Sequence, residues 1–263
     1  RNLGAHYTSE KNILKLIKAR RAKEIEALRH WPAVYAEELQ AMAKATGLEP
    51  GALAYGNSFL DFGQARAGCR SVVIASTNIF LHAHNLDWDN LGGLGRWTTC
   101  IVRRRPTDGR LATVSVGFPG LIGALDVINE KGLALSFNQL GVGRDRVTEP
   151  VFILMRRVAE NCVSLDQARR EIGKASPGMP FIITVSDAAT GTASIFERVR
   201  DNISERPLAN GWVAACNLRQ ETTVGLTRLD QILERAHVTD NSELQQVLRH
   251  PDVLLGCNIY SII

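Results

Sequence analysis

No two of the five cysteines in this 263-residue chain, at positions 69, 100, 162, 216 and 257, are spaced as Cys-x-x-Cys. That spacing argues against a zinc knuckle, and an odd number of widely separated cysteines argues against a disulfide framework. Unpaired thiols suit a reducing compartment, so the expected location is the cytoplasm. Aromatic residues are scarce at 6%, too few to build a base-stacking surface. Charge of one sign is also lacking, because 31 Lys and Arg face 27 Asp and Glu for a net charge of +4. The run Arg103-Arg104-Arg105 precedes the turn signal Pro106-Thr107-Asp108-Gly109 and reads as a solvated strand end. No nucleic-acid partner is expected. No apolar stretch approaches the roughly 18–20 residues of a membrane span. Internal repeats and low-complexity tracts are absent. The chain begins at Arg1 rather than Met, so an upstream targeting segment that has been removed is an expectation. It ends in the strand-like run Asn258-Ile259-Tyr260-Ser261-Ile262-Ile263, beyond which further residues are expected.

What is present is enough apolar residue, 45%, to fill a substantial core. Ile13, Ile17, Ile25 and Leu28 recur at helical spacing, and Tyr35, Leu39, Met42 and Ala43 continue the pattern in a second helix. Gly47 is placed to end that helix and Pro50 to open a third. Residues 61–68, Asp-Phe-Gly-Gln-Ala-Arg-Ala-Gly, read as a loop of small residues. From Cys69 the signals are strands, with turns at Thr77-Asn78, Asp108-Gly109 and Asn129-Glu130-Lys131-Gly132. Helices follow over about 152–162 and after the capping box Ser164-Leu165-Asp166-Gln167. A hairpin spans 181–199, a strand 212–216, and helices about 222–236 and 242–249. Strands, then helices, then strands again is an α+β pattern. Two units are expected, a helical pro-region over 1–68 and a catalytic domain over 69–263.

Gly68-Cys69 stands where the loop meets the apolar run Ser71-Val72-Val73-Ile74-Ala75. A thiol at the tip of this strand would face the carboxylate of Asp87 near the end of the next. If the Gly68-Cys69 bond is broken, Cys69 carries a nucleophile and a base on one residue. An α-amino group has a pKa of about 7.7–8.0, suited to general-base work near neutral pH. An acidic neighbour would orient the ammonium. Read alone, a cysteine at a strand start is better explained by core packing.

The chain resembles the cysteine branch of the N-terminal nucleophile hydrolases. Its closest resemblance is to the acyl-coenzyme A:6-aminopenicillanic acid acyltransferase family, also called peptidase family C45. Ala67-Gly68-Cys69-Arg70-Ser71 resembles that family's cleavage site and His84-Asn85-Leu86-Asp87-Trp88 its Arg-Asn-x-Asp-Trp motif. Phe118-Pro119-Gly120-Leu121-Ile122-Gly123 and Asn129-Glu130-Lys131-Gly132-Leu133 resemble the hairpin that follows. The resemblance implies an αββα sandwich of two antiparallel sheets, self-cleavage between Gly68 and Cys69, and association of the two resulting chains. It implies attack by Cys69 on a small-molecule acyl-amide, with no cofactor, and leaves a homo-oligomer open. Two residues depart from the pattern: His84 stands at the usual arginine and Arg70 at the usual threonine.

By the same resemblance, Asp87 orients the new N-terminus, and the Asn217 side chain and Asn138 backbone N–H form an oxyanion hole. Arg228 reaches toward the nucleophile, and His84, Trp88 and Phe118 border the substrate. From spacing alone, each asparagine ends a strand, Arg228 lies on a solvated helix face, and Trp88 and Phe118 are core. His82 and His84 share a strand face with Asp87 nearby, but no third and fourth ligand presents itself, so no metal is expected. An unperturbed histidine titrates near pH 6.5. If His84 stands in for the arginine, the rate is expected to depend on pH between about 6 and 8. The alternative reading is a catalytically silent relative that binds a small ligand.

Overall fold

The computed structural model describes residues 25–62, 68–87, 99–140, 149–175, 178–199, 201–217, 228–236, 238–254 and 258–263. The expected helix over 10–30 lies mostly outside them. Helices α1 (Ala33–Thr46) and α2 (Pro50–Phe62) come first. Gly47 ends α1 at φ 69°, the left-handed conformation that favours glycine. Strands β1 (Arg70–Ala75), β2 (Phe80–Asp87), β3 (Cys100–Arg104), β4 (Thr113–Gly117), β5 (Asp126–Asn129) and β6 (Leu133–Gln139) follow. Next come α3 (Val151–Asn161), α4 (Leu165–Lys174), β7 (Phe181–Asp187), β8 (Thr192–Val199), β9 (Asn202–Pro207) and β10 (Trp212–Cys216). The described chain closes with α5 (Arg228–Arg235), α6 (Asn241–Leu248) and β11 (Asn258–Ile262).

The strands form two sheets, ordered β10-β1-β2-β11 and β3-β4-β5-β6-β7-β8-β9, with every pairing antiparallel. Side chains alternate across a strand, and β6 shows the consequence. Leu133, Leu135 and Phe137 join the core beneath α3 and α4, and Phe137 meets Phe152 edge-on at 5.6 Å. Ser136 and Asn138 face the smaller sheet. On that sheet's other face, Val72, Ile74 and Ala83 pack against Leu229, Leu233, Leu244 and Val247 of α5 and α6. The layers are therefore helix, sheet, sheet, helix, as expected. Strand β9 has no counterpart in the sequence reading. Its residues Ser204, Glu205 and Arg206 are polar because it is an edge strand, where charge discourages further pairing.

The N-terminal segment docks through Leu28, Trp31, Tyr35, Leu39, Leu53 and Ala54 against Ile122 and Ile153. Charged groups fasten the same contact. Tyr35 donates to Glu160 Oε2 at 2.9 Å, Arg156 bonds Glu160 at 2.6 Å and Glu38 at 2.8 Å, and Arg110 also donates to Glu160. Burying Glu160 is tolerable because its charge is paired and hydrogen-bonded. Asn57 completes the attachment, accepting from Ile122 N at 2.6 Å and donating to Gly120 O at 2.9 Å.

Glycine is required where this loop meets α3. A Cβ on Gly123 would lie 2.5 Å from Phe152 Cβ and 2.6 Å from the Phe152 carbonyl group. Ala124 N simultaneously bonds Phe152 O at 3.0 Å, so neither segment can retreat without losing a partner. Gly123→Ala should cost about 1–3 kcal/mol of stability, measured by denaturant unfolding. An unchanged unfolding midpoint would contradict this account of the contact.

Candidate active site

Cys69 leads into β1, the interior strand between β10 and β2, and is 1% exposed. Arg70 pairs with Cys216 on one side and Asn85 on the other. Continuing the register by one residue puts Cys69 across from Asn217 and Leu86. Gly68 N donates to Asp87 O at 2.9 Å, and Cys69 Sγ lies 3.9 Å from that same oxygen. The strand end thus meets the main chain of Asp87, whereas the carboxylate expected to face the thiol accepts from Asn258 Nδ2 at 2.8 Å. Arg70 points away from the sulfur, as alternation requires, but its guanidinium curls back onto the main chain. Its Nη1 donates to Gly68 O at 2.5 Å and to Cys69 O at 2.9 Å.

His84 pairs with Ser71 across the β1–β2 ladder and is buried. Its Nδ1 lies 2.9 Å from Asp126 Oδ2. Tyr260 donates to that same oxygen at 2.5 Å and sets its ring edge-on to the imidazole, centroids 6.5 Å apart. Burial opposes charge on His84. The Asp126 carboxylate, by charge and hydrogen bond, and the adjacent Cys69 sulfur outweigh it and push His84 up to about 10. The expected titration between pH 6 and 8 is therefore corrected, since a paired imidazole holds its proton throughout that range. Tyr260 is held well above the ordinary phenol range by burial, then by Asp126 and Cys69, so its hydroxyl remains a donor.

His82 differs although it is only two residues away. Its Nδ1 meets Ser186 Oγ at 2.8 Å and its Nε2 meets Ser136 Oγ at 2.8 Å. Burial, with help from His84 and against Asp126, pushes it down to about 4. Ser136 continues to Ser71 at 2.9 Å, and Ser71 donates to Asn138 Oδ1 at 2.5 Å. This chain of hydroxyl, imidazole and amide groups links the two sheets. Both nitrogens of His82 and Nδ1 of His84 are thereby engaged by serines and by Asp126, while His84 Nε2 is buried with no hydrogen-bond partner among the described residues.

Asn138 and Asn217 converge on the strand end. Asn138 is buried, and its Nδ2 has no hydrogen-bond partner among the described residues. Asn217 Nδ2 donates to Gln139 O at 2.7 Å. Phe118 packs against the hydrophobic cluster that contains Cys69. Trp88 lies outside the described residues. Arg228 does not join the group. It is exposed at the start of α5 and pairs with Asp252 at 2.8 Å, because the apolar side of that helix, Leu229 and Leu233, takes the sheet. The sequence reading missed Asp126 and Tyr260. A carboxylate inside the strand run Ala124-Leu125-Asp126-Val127-Ile128 was a usable signal, since a buried acid needs a partner. Tyr260 offered none.

A cavity of about 300 Å³ between the sheets is walled by His82, His84, Asp126 and Ser136 together with Val116 and Ile262. Cys69 is not among its walls. Among the described residues, no helix is long and apolar enough to cross a membrane.

Residues 76–234 match the family described as acyl-coenzyme A:6-aminopenicillanic acid acyl-transferase. Among solved structures, a Caenorhabditis elegans N-acylethanolamine-hydrolyzing acid amidase ortholog superposes with a TM-score of 0.62 at 17% identity. The match covers 73% of this chain and 91% of that one. A mutant conjugated bile acid hydrolase from Clostridium perfringens matches at TM-score 0.41 and 16% identity, over 55% of this chain and 52% of that one. The first establishes a shared fold, that of the N-terminal nucleophile hydrolases. No curated protein matches the sequence.

The two histidines make stability respond to pH in opposite senses. His82 refuses a proton that the unfolded chain accepts, so its contribution is present above about pH 6.5 and falls away as pH drops toward about 4. His84 keeps a proton that the unfolded chain releases, so its contribution is full below about pH 6.5 and is lost as pH rises toward about 10. Melting temperatures should decline on both sides, and His82→Gln should flatten the acid side. A wild-type acid decline that begins only below pH 4 would contradict the neutral assignment of His82.

Proposed function

The chain belongs to the acyl-coenzyme A:6-aminopenicillanic acid acyltransferase family, and from that premise we propose that it is a self-processing cysteine amidohydrolase or acyltransferase. Its substrate is a small N-acyl compound whose non-peptide C–N amide bond is cleaved through an acyl-Cys69 thioester. The observation that carries this reading is the placement of Cys69, at the head of an interior strand with its sulfur beside the Asp87 carbonyl and His84.

Processing divides the chain into residues 1–68 and 69–263. The Cys69 thiol gives up its proton and the sulfur attacks the Gly68 carbonyl carbon. The C–N bond breaks as the nitrogen takes a proton, leaving a thioester. One water then hydrolyses the thioester, giving a Gly68 carboxylate and a free Cys69 α-amine. The Arg70 contact to Gly68 O supports this reading, because negative charge gathers on that oxygen as the sulfur adds. The Tyr35, Asn57 and Glu160 contacts keep the N-terminal piece attached afterwards.

In turnover the α-amine takes the thiol proton, with Asp87 orienting it. The thiolate adds to the substrate carbonyl. The departing amine leaves with a proton, and water or a second amine takes the acyl group from sulfur. Asn217 and Asn138 supply donors for the oxyanion. A different observation favours a second reading, a silent relative that binds a ligand. The cavity described above is walled by His84 and Asp126 rather than by Cys69.

Denaturing electrophoresis should show two pieces that copurify under native conditions. Cys69→Ala should abolish both scission and turnover, whereas activity from a single uncleaved chain would refute the processing step. Arg70→Ala should slow scission by about ten- to hundredfold, the worth of a hydrogen bond to a charged group, while pre-cleaved protein keeps its turnover. Asn217→Ala should lower kcat by about 10²–10³-fold with a much smaller change in KM. A change in KM alone would instead make Asn217 a ground-state binding residue. Ligand binding without turnover in the wild type would favour the second reading.

A further inference from the structure

Asp126 is a buried carboxylate with one described hydrogen-bonding oxygen. Oδ2 accepts from Tyr260 at 2.5 Å and meets His84 Nδ1 at 2.9 Å. Oδ1 is buried with no hydrogen-bond partner among the described residues. The cation that compensates this carboxylate is the His84 ring, the two side chains being 5% and 1% exposed. A buried carboxylate without a partner is strongly disfavoured, so the pair forms as a unit. The groups facing His84 come from four segments: His82 on β2 itself, Asp126 on β5, Tyr260 on β11, and Cys69 ahead of β1. His82, between Ser136 and Ser186, is the neutral one.

We propose that Asp126 is a positioning residue that, with Tyr260, holds His84 as a fixed imidazolium against the Cys69 sulfur, so that a histidine does the work of a permanent cation. The proposal rests on Cys69 being the nucleophile. A histidine that already carries its proton cannot be the base for the thiol. It stabilises negative charge on the sulfur, and the base remains the α-amine. The three residues therefore resemble a Cys-His-Asp triad in layout while dividing the labour differently. In such a triad the imidazole takes the proton, whereas here it keeps one.

The arrangement also explains how His84 works where an always-charged side chain would be simpler. An arginine holds its charge in any setting. A histidine at this depth needs a carboxylate to hold its own, and Tyr260 fixes that carboxylate by donating to the same oxygen. Asp126→Asn keeps the size and one acceptor but removes the charge. The imidazole should then lose its proton near neutrality, as any buried histidine without a carboxylate does.

The test is an NMR pH titration of the His84 ring in the wild type, beside alkylation of Cys69 by iodoacetamide. His84 should stay protonated from pH 6 to 8 in the wild type and should titrate below pH 7 in Asp126→Asn. Alkylation at pH 7.5 should slow about tenfold or more in Asp126→Asn, because the sulfur loses the opposite charge beside it. On a His84→Arg background, Asp126→Asn should cause no such slowing. A wild-type His84 that titrates near pH 6.5 would overturn the proposal, and that measurement needs no variant to fold. Equal alkylation rates in Asp126→Asn and the wild type would overturn it as well. Turnover that survives Cys69→Ala would instead refute the proposed function, an outcome the ring titration does not share.

Discussion

Two sheets stack in this molecule with polar side chains between them, and that constraint decides where the chemistry sits. Buried polar groups must find hydrogen-bond partners. Ser71 and His82 of the small sheet find Ser136, Asn138 and Ser186 of the large one. A slip of one residue in either sheet would turn every one of these groups away from its partner. The register that satisfies them also places His84 on Asp126 and Cys69 beside His84. Apolar packing at Val73, Ile182, Ile195 and Val213 supplies cohesion in the same layer, but it tolerates exchange of one aliphatic side chain for another. The polar contacts do not.

The same layer separates two histidines that the sequence presents as equals. Both lie on β2 and point the same way. His82 meets serines and stays neutral, whereas His84 meets a carboxylate and becomes a cation. A local environment thus assigns opposite charge states to identical side chains about two residues apart. On the opposite face of β1, Arg70 binds the carbonyls on either side of the Gly68–Cys69 bond.

Much of the fold was legible because periodicity and turn chemistry are local. The capping box gave α4 its start, with Ser164 accepting from Gln167 N, and Thr77-Asn78 joined β1 to β2. Cys69, Asp87, Asn138 and Asn217 could be named as candidates through order and spacing of motifs, and the β1–β2 and β1–β10 registers bring Cys69 level with the ends of those strands. What stayed hidden depends on contacts between distant residues. Tyr260 reaches Asp126 across 134 residues of sequence, and nothing near either residue announces the other. Arg228 departs from the resemblance and follows its spacing, which put it on a solvated helix face while Leu229 and Leu233 take the sheet. The intrinsic titration of His84 is a property of the side chain, whereas the upward push on it comes from Asp126, a partner that nothing near His84 in the sequence announces.

The central claim is that Cys69 becomes covalently acylated by an amide substrate. The direct measurement is acid quenching during turnover of a small N-acyl amide, followed by peptide mapping with mass spectrometry. The account predicts the mass of the acyl group on the peptide that begins at Cys69, released by hydroxylamine as a thioester should be. Turnover at full rate with the acyl group on another residue, or with Cys69 unmodified at every quench time, would contradict it.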